Sequence, residues 1–128
     1  MLEILRDPPV DNEELNALFR AAWSRHRERD FGKALAHSLA YFLARDTGRL
    51  IGFVNVAWDG DAHAFLLDIT VHPDLQRRGI GTQLLREAAA ERGCEWLHVD
   101  FEAELEPFYR AGGYGPTVAG LLQLRSAM

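Results

Sequence analysis

Between Asp11 and Trp23 apolar side chains return every three or four residues, so Leu15, Leu18, Phe19, Ala22 and Trp23 share one face of a predicted helix. Asp11 stands at the cap position with Glu14 three residues on, the spacing of a capping box. Ahead of it, Leu2 to Leu5 reads as a short strand, and Pro8 and Pro9 force an extended link. The charged stretch His26 to Lys33 predicts a loop, followed by a short second helix reaching His37. From Leu39 the period changes. Leu39 to Arg45 and Leu50 to Trp58 predict strands joined by the hairpin turn Asp46-Thr47-Gly48. Asp59-Gly60-Asp61 makes a second turn, and Ala64 to Val71 a third strand.

After the loop His72 to Arg78, Ile80, Leu84, Leu85, Ala88 and Ala89 form the buried stripe of a helix from Gly79 to Arg92, with Gly93 placed to end it. Trp96 to Phe101 predicts a further strand. A strand, a helix and a strand in so short a span make a βαβ unit, with parallel strands and a right-handed crossover. A helix over Leu105 to Ala111 and a closing strand, Gly120 to Arg125, complete the reading. The whole is an α/β chain of the α+β type. A mixed, mostly antiparallel central sheet carries helices on both faces, with one βαβ crossover after the third central strand.

The loop before the long helix carries the clearest chemistry. Gly79 and Gly81 let the backbone bend and approach a ligand closely, and the first amides of a helix have no partners within it. With the helix dipole behind them, such amides hold anions, typically phosphate. Arg77 and Arg78 add two permanent cations able to fork onto phosphate oxygens. By themselves the glycines also fit a plain tight turn. Leu84 stands where a dinucleotide fingerprint needs its third glycine, and no Gly-Lys-Ser/Thr of a P-loop occurs.

Composition narrows the field. A chain of 128 residues has room for one core, so residues 1–128 are read as a single domain. With 48% hydrophobic and 26% charged residues it has the balance of an ordinary soluble protein. The net charge of −5, with both signs interleaved, argues against a nucleic-acid-binding face. One cysteine, Cys94, excludes an internal disulfide and points to the cytoplasm, where it reads as a small packed residue. The amino terminus lacks a signal-peptide core, and no apolar run is long enough for a membrane helix. The five histidines share no metal-ligand spacing, so no metal is expected. Trp23, Trp58 and Trp96 read as core or rim aromatics.

Gln76-Arg77-Arg78-Gly79-Ile80-Gly81 resembles the Q/R-x-x-G-x-G/A motif of the GNAT acetyltransferase superfamily, in the same strand–loop–helix context. Phe108-Tyr109-Arg110-Ala111-Gly112-Gly113-Tyr114 resembles the FYxxxGF/Y segment of that family. Two spaced motifs covering the carboxy-terminal half are far more specific than either alone. The resemblance implies that acetyl-CoA is the co-substrate, its pyrophosphate cradled by the loop that Gln76 opens. The cradling amides carry over to Arg77, Arg78, Gly79, Ile80, Gly81 and Thr82, and the backbone of Ile69 and Val71 would pair with the pantetheine arm. It implies transfer of an acetyl group to an amine by direct attack, and a small-molecule or peptide amine as acceptor. Domains of this family frequently dimerise, so a homodimer is in view.

By the same resemblance Tyr109 is the acid that protonates the departing thiolate, a task a phenol of ordinary pKa about 10 can perform; alternatively it packs beside Phe108. An ammonium acceptor must also lose a proton. Asp68, Asp100, Glu102 and Glu104 are the candidate bases, and Asp68 reads equally as the polar face of a strand. Asp100 stands where the family often has asparagine, so that contact to the cofactor arm does not carry over. His26, Arg27 and Arg29 with Phe31 read as a solvated helix end, at the place where family members line the acceptor pocket. Two further readings stay open: a non-catalytic acyl-CoA-binding module on the same fold, and an unrelated phosphate-ligand domain.

Overall fold

The computed structural model describes residues 1–125, and the elements follow the predicted order. They are β1 (Leu2–Arg6), α1 (Asn12–Ala22), α2 (Phe31–Leu35), β2 (Ser38–Asp46), β3 (Arg49–Trp58), β4 (His63–Val71), α3 (Ile80–Ala89), β5 (Trp96–Val99) and α4 (Glu106–Ala111), with short 3-10 turns at Pro73–Leu75 and Ala103–Leu105. The strands lie side by side in chain order. β1 to β4 are antiparallel, and β4 and β5 are parallel, in register from His63 opposite Trp96 to Leu66 opposite Val99.

β3 explains the layering. Its residues from Leu50 to Val56 are all buried, as a central strand covered on both faces must be. On one face Val54 and Val56 pack with Ile80, Leu84, Leu85 and Ala88 of α3. On the other, Phe53 and Leu43 pack with Leu15, Leu18 and Phe19 of α1 and Phe31 of α2. Ion pairs stitch both faces to the sheet. The Arg45 guanidinium forks onto Glu14 of α1 at 2.8 Å for each bond. Arg6 of β1 holds Glu91, just beyond α3, at 2.9 and 3.0 Å. The backbone N–H of Glu14 donates to the Asp11 carboxylate as the capping pattern requires, but the Glu14 side chain serves Arg45 instead of returning to the cap.

Several expectations are corrected. α3 stops at Ala89, and Gly93 does not cap it. A Cβ on Gly93 would stand 2.7 Å from Leu39 Cδ1, so that glycine permits a close approach. β5 ends at Val99, two residues early, because Phe101 turns to stack on Tyr109 with ring centroids 4.7 Å apart. Residues 120–125 form no strand: a strand exists by pairing, and this segment pairs with none of the described strands. Val118, Leu121, Leu122 and Leu124 are at least 80% exposed. Nor is His26 at a solvated helix end. Its ring sits between Phe19 and Phe31, with Nε2 2.8 Å from Asn16 Oδ1. Among the described residues no helix is long and apolar enough to cross a membrane.

Candidate active site

The loop between β4 and α3 is bent by two left-handed residues, Arg77 at φ 65° and Gly79 at φ 81°. Left-handed residues between ordinary ones turn successive N–H groups toward one point, the concavity with which backbones hold anions. The first bond of the helical ladder runs from Gln83 N to Gly79 O at 3.0 Å, and no side chain caps the helix. The amides of Ile80, Gly81 and Thr82 therefore precede the ladder. A Cβ on Gly79 would meet nothing within 4 Å, so glycine is required there by its backbone angle and not by space.

β4 outruns its neighbour. β5 pairs only with His63 to Leu66, leaving β4 from Leu67 to Val71 without a partner on that side. In the same stretch β4 bulges: Asp68 and Ile69 together stand opposite Val54, and Asp68 takes φ 58°. A bulge of this kind bends the strand and frees backbone groups from the ladder. The Asp68 carbonyl accepts from Thr70 Oγ1 at 2.8 Å, and Thr70 accepts from the Trp23 indole N–H at 3.1 Å.

Tyr109, carried on α4, is only 4% exposed. Burial raises its pKa above the ordinary tyrosine range, so the phenol holds its proton firmly. Tyr114 stands edge-on to it at 5.9 Å. Its hydroxyl is buried without a hydrogen-bond partner among the described residues, and burial, then the neighbouring Tyr109, push its pKa up to about 12. Gly112 lets α4 end against α3; a Cβ there would lie 2.5 Å from Leu85 Cδ2.

One cavity of about 510 Å³ brings most of these groups together. Its walls include Gln76, Arg77, Gly79, Ile80, Gly81 and Thr82 of the loop and helix start, Ile69 and Val71 of the free β4 edge, and Tyr109 of α4. The Arg78 side chain is exposed and lines neither this cavity nor the next. Asp68 opens into a second, larger cleft of about 1510 Å³, bounded by β5, the stretch after it and residues 115–121. Its carboxylate is paired with Arg29 at 3.6 Å, and Arg29 does not line that cleft. Asp100 and Glu102 line the same cleft, and Glu104 does not. Sequence reasoning missed Trp23 and Thr70 as wall residues, because nothing local links positions 47 apart. Among the described residues no three His, Cys, Asp or Glu side chains form a group that could hold a metal ion.

Comparisons with known proteins agree on a family. A model described as the acetyltransferase (GNAT) family matches residues 7–114. Mycothiol acetyltransferase of Mycolicibacterium vanbaalenii is 37% identical over 65 residues, 48% of this chain and 22% of that protein. The chain thus spans under a quarter of that relative's length. Serotonin N-acetyltransferase 2, chloroplastic, of Oryza sativa subsp. japonica is 28% identical over 113 residues, 82% of this chain and 56% of that protein. Among solved structures, an acetyltransferase of the GNAT family from Streptococcus pneumoniae TIGR4 matches with a TM-score of 0.83 and 26% identity, covering 99% of this chain and 100% of that one. An aminoglycoside N-acetyltransferase, AAC(6')-Iy, solved in complex with CoA, shares the fold at a TM-score of 0.76 and 23% identity, covering 99% and 96%.

Proposed function

The chain belongs to the GNAT acetyltransferase family, and from that premise we propose that it moves an acetyl group from acetyl-CoA directly to an amine, without an acyl-enzyme. The observation that carries the reading is the single cavity shared by the uncapped start of α3, the unpaired edge of β4 and the Tyr109 phenol. Its parts fit the parts of an acyl-CoA: free amides for the pyrophosphate, a strand edge for the pantetheine amides, a proton donor for the thioester sulfur. The relatives are named for acetyl transfer but for different acceptors, so the names agree on the donor chemistry alone.

The bound coenzyme supplies an acyl thioester; the remaining steps fall to residues of the chain. Residues 1–128 act as one catalytic domain. Arg77 and the amides at the start of α3 fix the diphosphate, and the backbone of Ile69 and Val71 aligns the arm. Backbone N–H groups freed at the Asp68–Ile69 bulge donate to the carbonyl oxygen as it gains negative charge. The amine nitrogen bonds to the acyl carbon, the carbon–sulfur bond breaks, the Tyr109 hydroxyl gives its proton to the sulfur, and the proton that the nitrogen sheds as it becomes an amide restores the phenol. An ammonium of ordinary pKa near 10 must first be deprotonated at neutral pH. Asp68 takes that proton, directly or through water, from the larger cleft.

The test supplies acetyl-CoA with a panel of amines and measures free thiol, beside calorimetric titration of CoA. Thiol release that depends on the amine supports the reading. Tight CoA binding with no turnover on any amine points instead to a non-catalytic acyl-CoA-binding module. Weaker binding of acetyl-CoA than of ATP or simple phosphate would leave only a phosphate-ligand domain.

A further inference from the structure

The two cavities meet, and only Trp23, Ile69, Leu105 and Tyr109 line both. In the proposed function Ile69 and Tyr109 flank the acyl carbon, so an amine arriving from the larger cleft must pass the other two. Trp23 is 51% exposed and offers its indole to both cavities. It is not loose. Its N–H donates to Thr70, itself 2% exposed, and Thr70 donates to the carbonyl of Asp68. This relay fixes the indole to the same bulge whose N–H groups face the reacting carbonyl. A rigid, half-open aromatic wall beside a reaction centre is a contact surface formed before the ligand arrives, so little entropy is lost when it is covered.

The rest of the cleft has a matching character. Phe65 and Trp96 stand half-exposed on its β4–β5 side, Phe65 stacked on His98 at 4.6 Å. Of its six lining carboxylates, Asp68, Glu91 and Glu106 are already paired with Arg29, Arg6 and Arg110, which leaves Glu95, Asp100 and Glu102 against the lining guanidinium of Arg92. Aromatic walls suit a flat apolar body, and the charge suits a cation.

We propose that Trp23 is a specificity-determining residue for the acceptor and that the acceptor class is the arylalkylamines: a primary ammonium on a short chain bearing an aromatic ring. The ring lies against the indole while the nitrogen reaches the gap between Ile69 and Tyr109. This rests on the acetyl-transfer reading above, and its test is built to separate the two.

Thiol release is measured with 2-phenylethylamine and with n-butylamine, which carry the same charge, on the wild type, Trp23→Phe and Trp23→Leu. Stacking on the indole together with burial of the ring should give about a tenfold preference or more in kcat/KM for the aryl amine. Trp23→Leu should remove most of that preference, chiefly through KM. Trp23→Phe should keep part of it, since it retains an aromatic ring while losing some of the indole's area and the N–H to Thr70. The aryl-to-alkyl ratio is insensitive to a general loss of activity, so a damaged fold does not imitate the result. Calorimetric binding of 2-phenylethylamine to the CoA-bound protein gives the independent arm. Binding weakened about tenfold in Trp23→Leu supports the assignment even where no amine is turned over, and then the transfer reading alone fails. Turnover with an aryl-to-alkyl ratio near one, or a ratio unchanged in Trp23→Leu, overturns the assignment and leaves acetyl transfer standing.

Discussion

Tyr109 and Tyr114 stand edge to face, yet their hydroxyls have different tasks. Tyr109 lines the cavity of the thioester end, and burial keeps it protonated through the neutral range. Tyr109→Phe should lower kcat by roughly 10²- to 10⁴-fold, the usual worth of a positioned acid, with the KM for acetyl-CoA little changed, as steady-state thiol assays would show. Tyr114 buries a hydroxyl that nothing among the described residues accepts from or donates to. An orphan of this kind costs about 1–3 kcal/mol, so Tyr114→Phe should leave stability unchanged or raise it, read as denaturant midpoint. Both phenols are raised on folding, so the folded state holds their protons more tightly than the unfolded chain. Stability is therefore whole below the ordinary tyrosine value of about 10 and lost as pH climbs toward the folded values, about 12 for Tyr114. Urea titrations across that window should show the fall, and Tyr114→Phe should lessen it.

At the scale of elements, the loop into α3 depends on one backbone angle. Gly79→Ala forces a Cβ into left-handed conformation where no atom obstructs it, so the cost of about 1–2 kcal/mol is purely conformational. A lowered melting temperature together with weaker acetyl-CoA binding is the expected outcome, measured by thermal unfolding and calorimetry. That loop was legible in the sequence because its signals are local: two glycines between an apolar strand and an amphipathic helix. β3 was legible as a strand from its largely apolar run, while the covering of both its faces came only with the structure. What escaped the sequence is set by contacts between distant residues. The inward turn of His26 depends on Asn16 and two phenylalanines, the bulge at Asp68 on its register with β3, and the Trp23 anchor on Thr70. The closing strand failed for the complementary reason. Its residues have the right pattern, but a pattern without a partner does not make a strand.

For the molecule as a whole, the sheet is layered between helices over β2 and β3 and opens toward β5, where the two cavities meet. A sheet parting this far along is one strand short over half its width. Pantetheine carries two amides of its own, spaced along an extended chain, and can complete the hydrogen-bond pattern where no polypeptide does. In deuterium exchange, the β4 amides from Leu67 to Val71 that face away from β3 should therefore exchange quickly in the free protein and slow markedly when CoA is added. Amides along β3, already paired on both sides, should slow much less. The coenzyme would then be read, proton by proton, as the last strand of the fold.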